Sequence, residues 1–203
     1  LKLESALKAF HLDVAGFCVL DIGASTGGFT DCLLRYGADF VYALDVGHGQ
    51  LAPSLAADPR VENIEGCNAR YMDSSLFSRH IDMAVTDISF ISQKLIYGAV
   101  RGLLDDGAPF VSLIKPQFEA GRENIGKGGI VKNPRVHEKV IRDIRESALA
   151  SGLAMRGICP SPIAGGDGNR EYTALFIAGG EASISDGDIE NTVKKAFAKQ
   201  DKA

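Results

Sequence analysis

The chain has 203 residues, of which 45% are hydrophobic and 24% are charged, and its formal net charge at pH 7 is −4. This length predicts one α/β domain with a substantial core, and charged residues interrupt every apolar run before it reaches membrane-spanning length. The net charge weakly disfavours a nucleic-acid partner, and four cysteines without a C-x-x-C pair predict buried thiols, a reducing cytoplasm and no zinc site. Because the first residue is not methionine, we expect the chain to be a fragment of a longer protein.

Apolar runs alternate with segments of helical periodicity along the whole chain. The predicted strands are 17–22, 40–45, 61–65, 81–87, 109–114, 153–161 and 172–178. The predicted helices are 2–12, 28–37, 50–58, 74–78, 95–104, 134–150 and 188–197. Residues 117–132 are rich in glycine and charge and are predicted to form a mobile loop without regular structure. This order is typical of an α/β fold with a doubly wound, Rossmann-like sheet that is mostly parallel with one antiparallel strand.

A strand, a loop of small residues and a helix follow one another at 17–34, and such a unit brings backbone N–H groups close to a ligand. A dinucleotide-binding loop needs a second glycine two residues after Gly23, where this chain has Ser25. A triphosphate-binding loop needs a lysine where this chain has Phe29. A ligand with a nucleoside and no pyrophosphate remains, and S-adenosylmethionine fits that description. The predicted cofactor-binding residues here are Asp21, Gly23, Ala24, Ser25, Thr26, Gly27, Gly28 and Phe29.

Polar side chains also come at the ends of other predicted strands, at the edge where ligands bind in such sheets. Asp45 lies 22 residues after Gly23, a spacing at which a carboxylate accepts hydrogen bonds from ribose hydroxyls; the alternative is a cap for the next turn. Asn68 is interpreted as a partner of an adenine edge or as an ordinary turn residue. Asp87 ends another strand and joins the predicted cofactor-binding residues.

Lys115 follows the apolar strand at 109–114, and a lysine seldom lies in such surroundings unless it is paired or functional. The structural alternatives are an ion pair with Asp87 and a side chain that extends along apolar surface to water. The functional interpretation is a neutral lysine that accepts the proton of a hydroxyl group.

Positive charge is concentrated in residues 115–145, which we call the basic segment. It contains eight basic and four acidic side chains and therefore carries +4, so that the rest of the chain carries −8. The basic segment is either a solvated helix face with a loop or a surface that faces phosphate groups. In the second interpretation, Arg122, Lys127 and Lys132 are predicted RNA-binding residues.

Four separated motifs occur in the chain: DIGASTGGFTD at 21–31, TDISFIS at 86–92, IKPQFEAGR at 114–122 and GNRE at 168–171. In their order and residues they resemble the TlyA (haemolysin A) family of FtsJ-type RNA ribose 2′-O-methyltransferases. The resemblance places the family's catalytic residues at Lys2, Asp87, Lys115 and Glu171. It implies an S-adenosylmethionine-dependent methyltransferase domain at 1–180, a tail at 181–203 that is helical in part, and RNA, by expectation rRNA, as the substrate. It also implies a small S4-type RNA-binding domain upstream of Lys2, outside this sequence.

The implied chemistry leaves the role of Lys115 open. A ribose 2′-hydroxyl loses its proton as it attacks the sulfonium methyl group, and Lys2 and burial both favour a neutral Lys115. Asp87 and Glu171 favour the charged form, so that Lys115 is either the base or a charged group that orients the hydroxyl.

Two other functions also remain open at this point. One is a cytolysin or interaction protein on a vestigial methyltransferase fold, and the other is a small-molecule methyltransferase, which has no need of the basic segment. Because all four catalytic residue types are present, we predict the RNA methyltransferase, acting in the cytoplasm.

Overall fold

The computed structural model describes residues 1–166, 168–181 and 183–198. Within them the strands are β1 (Cys18–Ile22), β2 (Phe40–Leu44), β3 (Val61–Ile64), β4 (Met83–Thr86), β5 (Pro109–Ile114), β6 (Leu153–Pro160) and β7 (Tyr172–Ala178). The α-helices are α1 (Lys2–Ala9), α2 (Gly28–Arg35), α3 (Pro53–Ala56), α4 (Tyr97–Leu103), α5 (Pro116–Glu119), α6 (Pro134–Ala150) and α7 (Asp186–Ala198). The predicted strands are confirmed with ends that differ by at most two residues, and the helix predicted at 74–78 is a 3₁₀ turn, Ser74–Leu76.

The seven strands form one sheet in the order β3-β2-β1-β4-β5-β7-β6. The first five strands of that order pair in parallel, whereas β7 runs antiparallel to both of its neighbours, β5 and β6. The expected doubly wound, mostly parallel sheet with one antiparallel strand is therefore confirmed. Since parallel strands end at the same edge of a sheet, the residues that follow β1, β2, β4 and β5 converge there.

Hydrophobic clusters cover both faces of this sheet. In β1, Leu20 and Ile22 belong to the cluster that α4, α6 and α7 complete, while Val19 belongs to the cluster that α1 and α2 complete. All five residues of β1 are buried, because alternate side chains point to opposite faces and both faces are covered. The continuous apolar run at 17–22 thus reflects a strand in the middle of a core with two sides.

Two predicted segments differ from the observed structure near prolines. The helix predicted at 50–58 is reduced to α3, because Ala52 is extended and a residue before proline disfavours the helical conformation. The segment predicted as an irregular loop contains α5 and a 3₁₀ turn at Arg122–Asn124, so that the prediction is wrong for these residues. Proline at the first position of α5 supplies the helical φ angle that periodicity did not reveal.

The predicted C-terminal helix is confirmed as α7, which packs on α6 and β6. Ile189 of α7 is fully buried in the core. Arg142 on α6 donates a hydrogen bond to Glu190 at 2.8 Å, and Arg145 forms an ion pair with Asp186 at 2.8 Å, so that acids of α7 neutralise part of the basic segment. Across the described part of the chain, no helix combines the length and hydropathy that crossing a membrane requires.

Candidate functional site

The loop between β1 and α2 is shaped by three residues in the left-handed conformation. Gly23, Ser25 and Gly27 have φ angles of 77°, 50° and 96°. A Cβ atom on Gly23 would lie 2.9 Å from Ile88 Cγ2, and a Cβ atom on Gly27 would overlap the side chain of Leu55. Glycine is therefore required at both positions, and the loop packs directly against α3 and the segment that follows β4.

A cavity of about 350 Å³ opens between this loop and the ends of β2 and β4, and we call it the loop cavity. Five predicted cofactor-binding residues line it: Gly23, Ser25, Asp45, Asn68 and Asp87. The other six do not line it: Asp21, Ala24, Thr26, Gly27, Gly28 and Phe29. These six residues shape the loop, begin α2 or fill the core behind the cavity, and direct contact with a cofactor stays a prediction for them.

Asp21 lies beneath the loop at the end of β1 and has no exposed surface. Its Oδ2 accepts a hydrogen bond from Thr30 Oγ1 at 2.7 Å, while its Oδ1 has no hydrogen-bond partner among the described residues. Burial raises the pKa of this carboxyl from 3.8 to about 7, against the opposing effect of the Thr30 hydrogen bond. A buried acceptor without a donor marks a place for a polar group of a ligand or for water.

Asp45 and Asn68 both stabilise turns at the rim of the loop cavity. Asp45 Oδ2 accepts a hydrogen bond from Ser25 N–H and Oδ1 accepts one from Gly47 N–H, each at 2.8 Å. Asn68 Oδ1 accepts a hydrogen bond from Arg70 N–H at 3.1 Å. The turn-capping alternative is thus observed for both side chains. Each Asp45 oxygen keeps a further lone pair, so the interpretation of Asp45 as a ribose ligand stays a prediction.

A larger cavity of about 690 Å³, which we call the lysine cavity, adjoins the loop cavity. Ser89 and Phe90 line both cavities and therefore form the boundary between them. The lining of the lysine cavity includes Lys2, Lys115 and Glu171. Three of the four residues that match the family's catalytic set thus meet in one cavity, and the fourth, Asp87, lies across the boundary.

Lys115 forms an ion pair with Asp87 at this boundary. Its Nζ lies 2.5 Å from Asp87 Oδ1, and it donates hydrogen bonds to Ser89 Oγ at 2.8 Å and to the Asp87 carbonyl oxygen at 3.3 Å. The Lys115 side chain is 10% exposed and that of Asp87 is 28% exposed. Three oxygen atoms thus surround the amine, as many as the N–H donors of a lysine ammonium group.

Lys2 and Glu171 form a second ion pair, 2.7 Å from Nζ to Oε2, between residues that are 169 positions apart. The Glu171 side chain is only 3% exposed, and its Oε1 accepts a long hydrogen bond from Gln117 Nε2 at 3.4 Å. Glu171 compensates the positive charge of Lys2. Lys2 therefore repels Lys115 less strongly than the sequence motifs alone indicate.

The sequence analysis assigned no role to Phe90, which lies between the two cavities. Phe90 is 87% exposed and has a φ angle of 68°, a conformation that is strained for a bulky residue. The centroid of its ring lies 5.2 Å from that of Phe118, which also lines the lysine cavity. Phe90 lies between Ser89 and Ile91 in the motif at 86–92, so no local pattern in the sequence singles it out.

The three predicted RNA-binding cations differ from Arg142 and Arg145, two cations of the basic segment on α6. Arg122 lines the lysine cavity, and Lys127 and Lys132 are exposed in the chain that follows it. None of the three forms an ion pair with another described residue, whereas Arg142 and Arg145 are paired with acids of α7. Their positive charge therefore faces solvent near the lysine cavity.

Comparison with known proteins agrees with this geometry. The model of the FtsJ-like methyltransferase family matches residues 1–177. YqxC of Bacillus subtilis, provisionally named an rRNA methyltransferase, is 48% identical over 173 residues, which are 85% of this chain and 62% of that protein. TlyA of Mycobacterium tuberculosis, a 16S/23S rRNA (cytidine-2′-O)-methyltransferase, is 40% identical over 197 residues, which are 97% of this chain and 74% of that protein.

A solved structure from Streptococcus thermophilus, provisionally named a hemolysin, is 42% identical with a TM-score of 0.95. That similarity covers 100% of this chain and 75% of the other, so that the chain spans between 62% and 75% of the length of these three relatives. The resemblance expected from the four motifs is thereby confirmed over nearly the whole chain. This chain belongs to the FtsJ-like methyltransferase family, in its TlyA (haemolysin A) group.

Proposed function

We propose that this chain is the catalytic part of an enzyme that transfers a methyl group from S-adenosylmethionine to a ribose 2′-hydroxyl of rRNA. The observation that carries the proposal is the Asp87–Lys115 pair at the boundary of two adjoining cavities. A reaction between two substrates requires that their reacting atoms meet in line, and two cavities that share a wall meet this requirement. The names of the relatives from Bacillus subtilis and Mycobacterium tuberculosis support the same substrate.

The loop cavity contains groups that suit S-adenosylmethionine. Gly23 presents bare backbone, and Asp45 has lone pairs for ribose hydroxyls. The carboxylates of Asp45 and Asp87 suit a ligand with a positive sulfonium. When bound, S-adenosylmethionine supplies an electrophilic methyl group.

On the other side of the boundary, Lys115 positions the acceptor hydroxyl. Asp87 and Ser89 hold its Nζ, which fixes the direction of the N–H groups. Of its three contacts, the one to the Asp87 carbonyl oxygen is the longest at 3.3 Å and is the one most readily exchanged for a substrate hydroxyl. As a cation, Lys115 stabilises the negative charge that develops on the hydroxyl oxygen as this oxygen bonds to the methyl group, its proton passes to water and S-adenosylhomocysteine leaves.

The surroundings of the lysine cavity favour RNA over a small acceptor. Phe90 and Phe118 offer aromatic surface for a nucleobase, and such stacking is worth about 1–3 kcal/mol per base. Arg122, Lys127 and Lys132 offer charge for phosphate groups. In the complete protein, an S4-type domain upstream of α1 adds affinity for rRNA, and the whole reaction takes place in the cytoplasm.

Mass spectrometry of rRNA tests the proposal, after full-length protein has been incubated with ribosomal subunits and isotope-labelled S-adenosylmethionine. We expect a labelled nucleotide whose 3′-linkage resists alkaline hydrolysis, because a 2′-O-methyl group removes the neighbouring nucleophile. Asp87→Asn abolishes the label, while Asp143→Asn, which alters an exposed aspartate paired with Lys139, retains it. Label on a base, or no transfer to RNA by protein that binds the cofactor, would contradict the proposal.

A further inference from the structure

Ser89 and Phe90 line both the loop cavity and the lysine cavity, and we call the segment 88–93, which contains them, the wall segment. Ser89 in this segment accepts a hydrogen bond from Lys115, and Phe90 packs against Phe118. Phe90 is exposed and strained, so that neither burial nor backbone preference holds this part of the wall in place. Contacts at the far end of the segment add to those of Ser89 and Phe90.

Glu119, the last residue of α5, makes those contacts. Its Oε2 accepts a hydrogen bond from Ser92 Oγ at 2.6 Å, and its Oε1 accepts one from Gln93 N–H at 2.8 Å. The Gln93 side chain is 2% exposed and accepts a hydrogen bond through Oε1 from Ser112 Oγ, which is fully buried in β5. The end of the segment is thus joined both to α5 and to the sheet.

Glu119 lines neither the loop cavity nor the lysine cavity. Burial raises the pKa of its carboxyl, and the hydrogen bonds from Ser92 and Gln93 oppose that effect. A carboxylate that is half-buried is costly unless it is hydrogen-bonded, and Glu119 accepts both of its hydrogen bonds from the wall segment.

We infer that Glu119 is a positioning residue for methyl transfer, which ties the wall segment 88–93 to α5. The same helix carries Phe118 and follows Lys115 directly, so that the tie fixes Ser89 and Phe90 relative to both. Through Ser89, it fixes the direction of the Lys115 amine. The inference rests on the proposed function and adds a residue to which the family resemblance gave no role.

Three variants of the full-length protein test this inference. Glu119→Ala removes both hydrogen bonds, Ser92→Ala removes one of them, and Glu119→Gln keeps a carbonyl for Gln93 N–H and an amide donor for Ser92 Oγ. Glu146→Ala, an exposed glutamate on α6, is the matched control. The measurements are kcat and KM for rRNA at saturating S-adenosylmethionine, and hydrogen exchange of 88–93 without either substrate.

We expect Glu119→Ala to lower kcat by about 10–100-fold, because a displacement of about 1 Å in a reacting group has effects of that size. Glu119→Gln restores kcat to within about 3-fold of wild type, a difference of less than about 1 kcal/mol. We also expect the double variant Ser92→Ala/Glu119→Ala to lose less transition-state stabilisation than the sum of the losses in the two single variants. Both substitutions remove the same hydrogen bond between Ser92 and Glu119. Hydrogen exchange of the backbone amides of 88–93 is expected to be faster than wild type in Glu119→Ala, and unchanged in Glu119→Gln and Glu146→Ala.

Wild-type kcat in Glu119→Ala, or equal losses in its Ala and Gln variants, would overturn the inference. If Glu119→Ala does not fold, Ser92→Ala decides: a lower kcat with unchanged thermal stability supports the tie, and wild-type kcat overturns it. An inactive wild-type protein would overturn the proposed function and this inference together, whereas an active wild type with an unaffected Glu119→Ala overturns the inference alone.

Discussion

Replacement of Lys115 by alanine removes the cation at the boundary of the two cavities. Lys115 lines the lysine cavity and not the loop cavity, so the variant is expected to bind S-adenosylmethionine nearly as well as wild type. Methyl transfer at saturating cofactor and RNA is expected to fall, because the acceptor hydroxyl loses the group that orients it and stabilises its charge.

The expected magnitudes follow from the surroundings of the amine. Loss of a group that assists proton transfer lowers the rate by about 10²–10⁴-fold. Breaking a fully buried ion pair costs about 3–5 kcal/mol of stability, but Asp87 is 28% exposed and water compensates part of the loss. We therefore expect a smaller destabilisation, about 1–3 kcal/mol, for Lys115→Ala.

Lys115→Arg separates the two roles that the sequence left open. Arginine stays protonated in proteins, so that it cannot act as a base but retains the positive charge. If Lys115 orients the hydroxyl as a cation, the arginine variant is expected to be at least about 10-fold faster than the alanine variant, a difference of about 1.4 kcal/mol. If Lys115 is the base, both variants are equally slow.

Single-turnover transfer of labelled methyl groups to rRNA measures these rates, and calorimetry measures cofactor affinity. Lys139→Ala on α6, which also removes a lysine paired with an aspartate, is the control and is expected to be active. A Lys115→Ala variant that turns over at the wild-type rate would refute the assignment. If the cofactor affinity of Lys115→Ala falls by the same factor as its rate, the assignment of the cofactor and the acceptor to separate cavities would be refuted.

Three further predictions concern the loop and RNA binding. Because burial raises the folded-state pKa of Asp21 to about 7, urea melts are expected to show stability falling as pH rises from about 4 to about 7, by up to about 1.4 kcal/mol per pH unit. Gly27→Ala is expected to lower the free energy of unfolding by about 1–3 kcal/mol, since φ is 96° and a Cβ would overlap a side chain of α3. In RNA titrations, neutralising Arg122, Lys127 and Lys132 flattens the salt dependence by about 0.7 per lost contact and leaves cofactor affinity unchanged.

The first two of these predictions have a matched control. Asp21→Asn keeps an acceptor for Thr30 but does not titrate, so an identical pH slope in this variant would contradict the assignment. Gly28→Ala adds a Cβ that meets no neighbouring atom within 4 Å. If it lowers the free energy of unfolding as much as Gly27→Ala does, the overlap with α3 is not the cause. An unchanged salt dependence in the triple variant would place RNA elsewhere on the protein.

Local patterns in the sequence determine most elements of this fold. The strands at 17–22 and 109–114 follow from apolar runs, and α6 follows from its first proline and its periodicity, because these effects act within a few residues. The cofactor loop was also located from sequence. Five of the eleven residues predicted to contact a cofactor line the loop cavity, and for the other six, which lie outside it, contact stays a prediction.

The candidate catalytic residues were recognised from motifs, and the Lys115–Asp87 ion pair was among the alternatives for Lys115, but the contact between Lys2 and Glu171 was not predicted. Lys2 meets Glu171 only because α1 packs beside β7, and Lys115 reaches Asp87 because β5 pairs with β4. The sequence permits either a pairing of Lys2 with Glu171 or an effect of Lys2 on Lys115, and only the packed chain decides between them.

The roles of Phe90 and Glu119 arise from tertiary structure alone. Neither residue breaks a local pattern, and each gains its role where the wall segment 88–93 packs against α5. Hydrogen bonds within a helix or between the residues of a turn depend on near neighbours in sequence, so sequence predicts them. A cavity or an ion pair depends on which strands become neighbours, and the burial of the whole core sets that order.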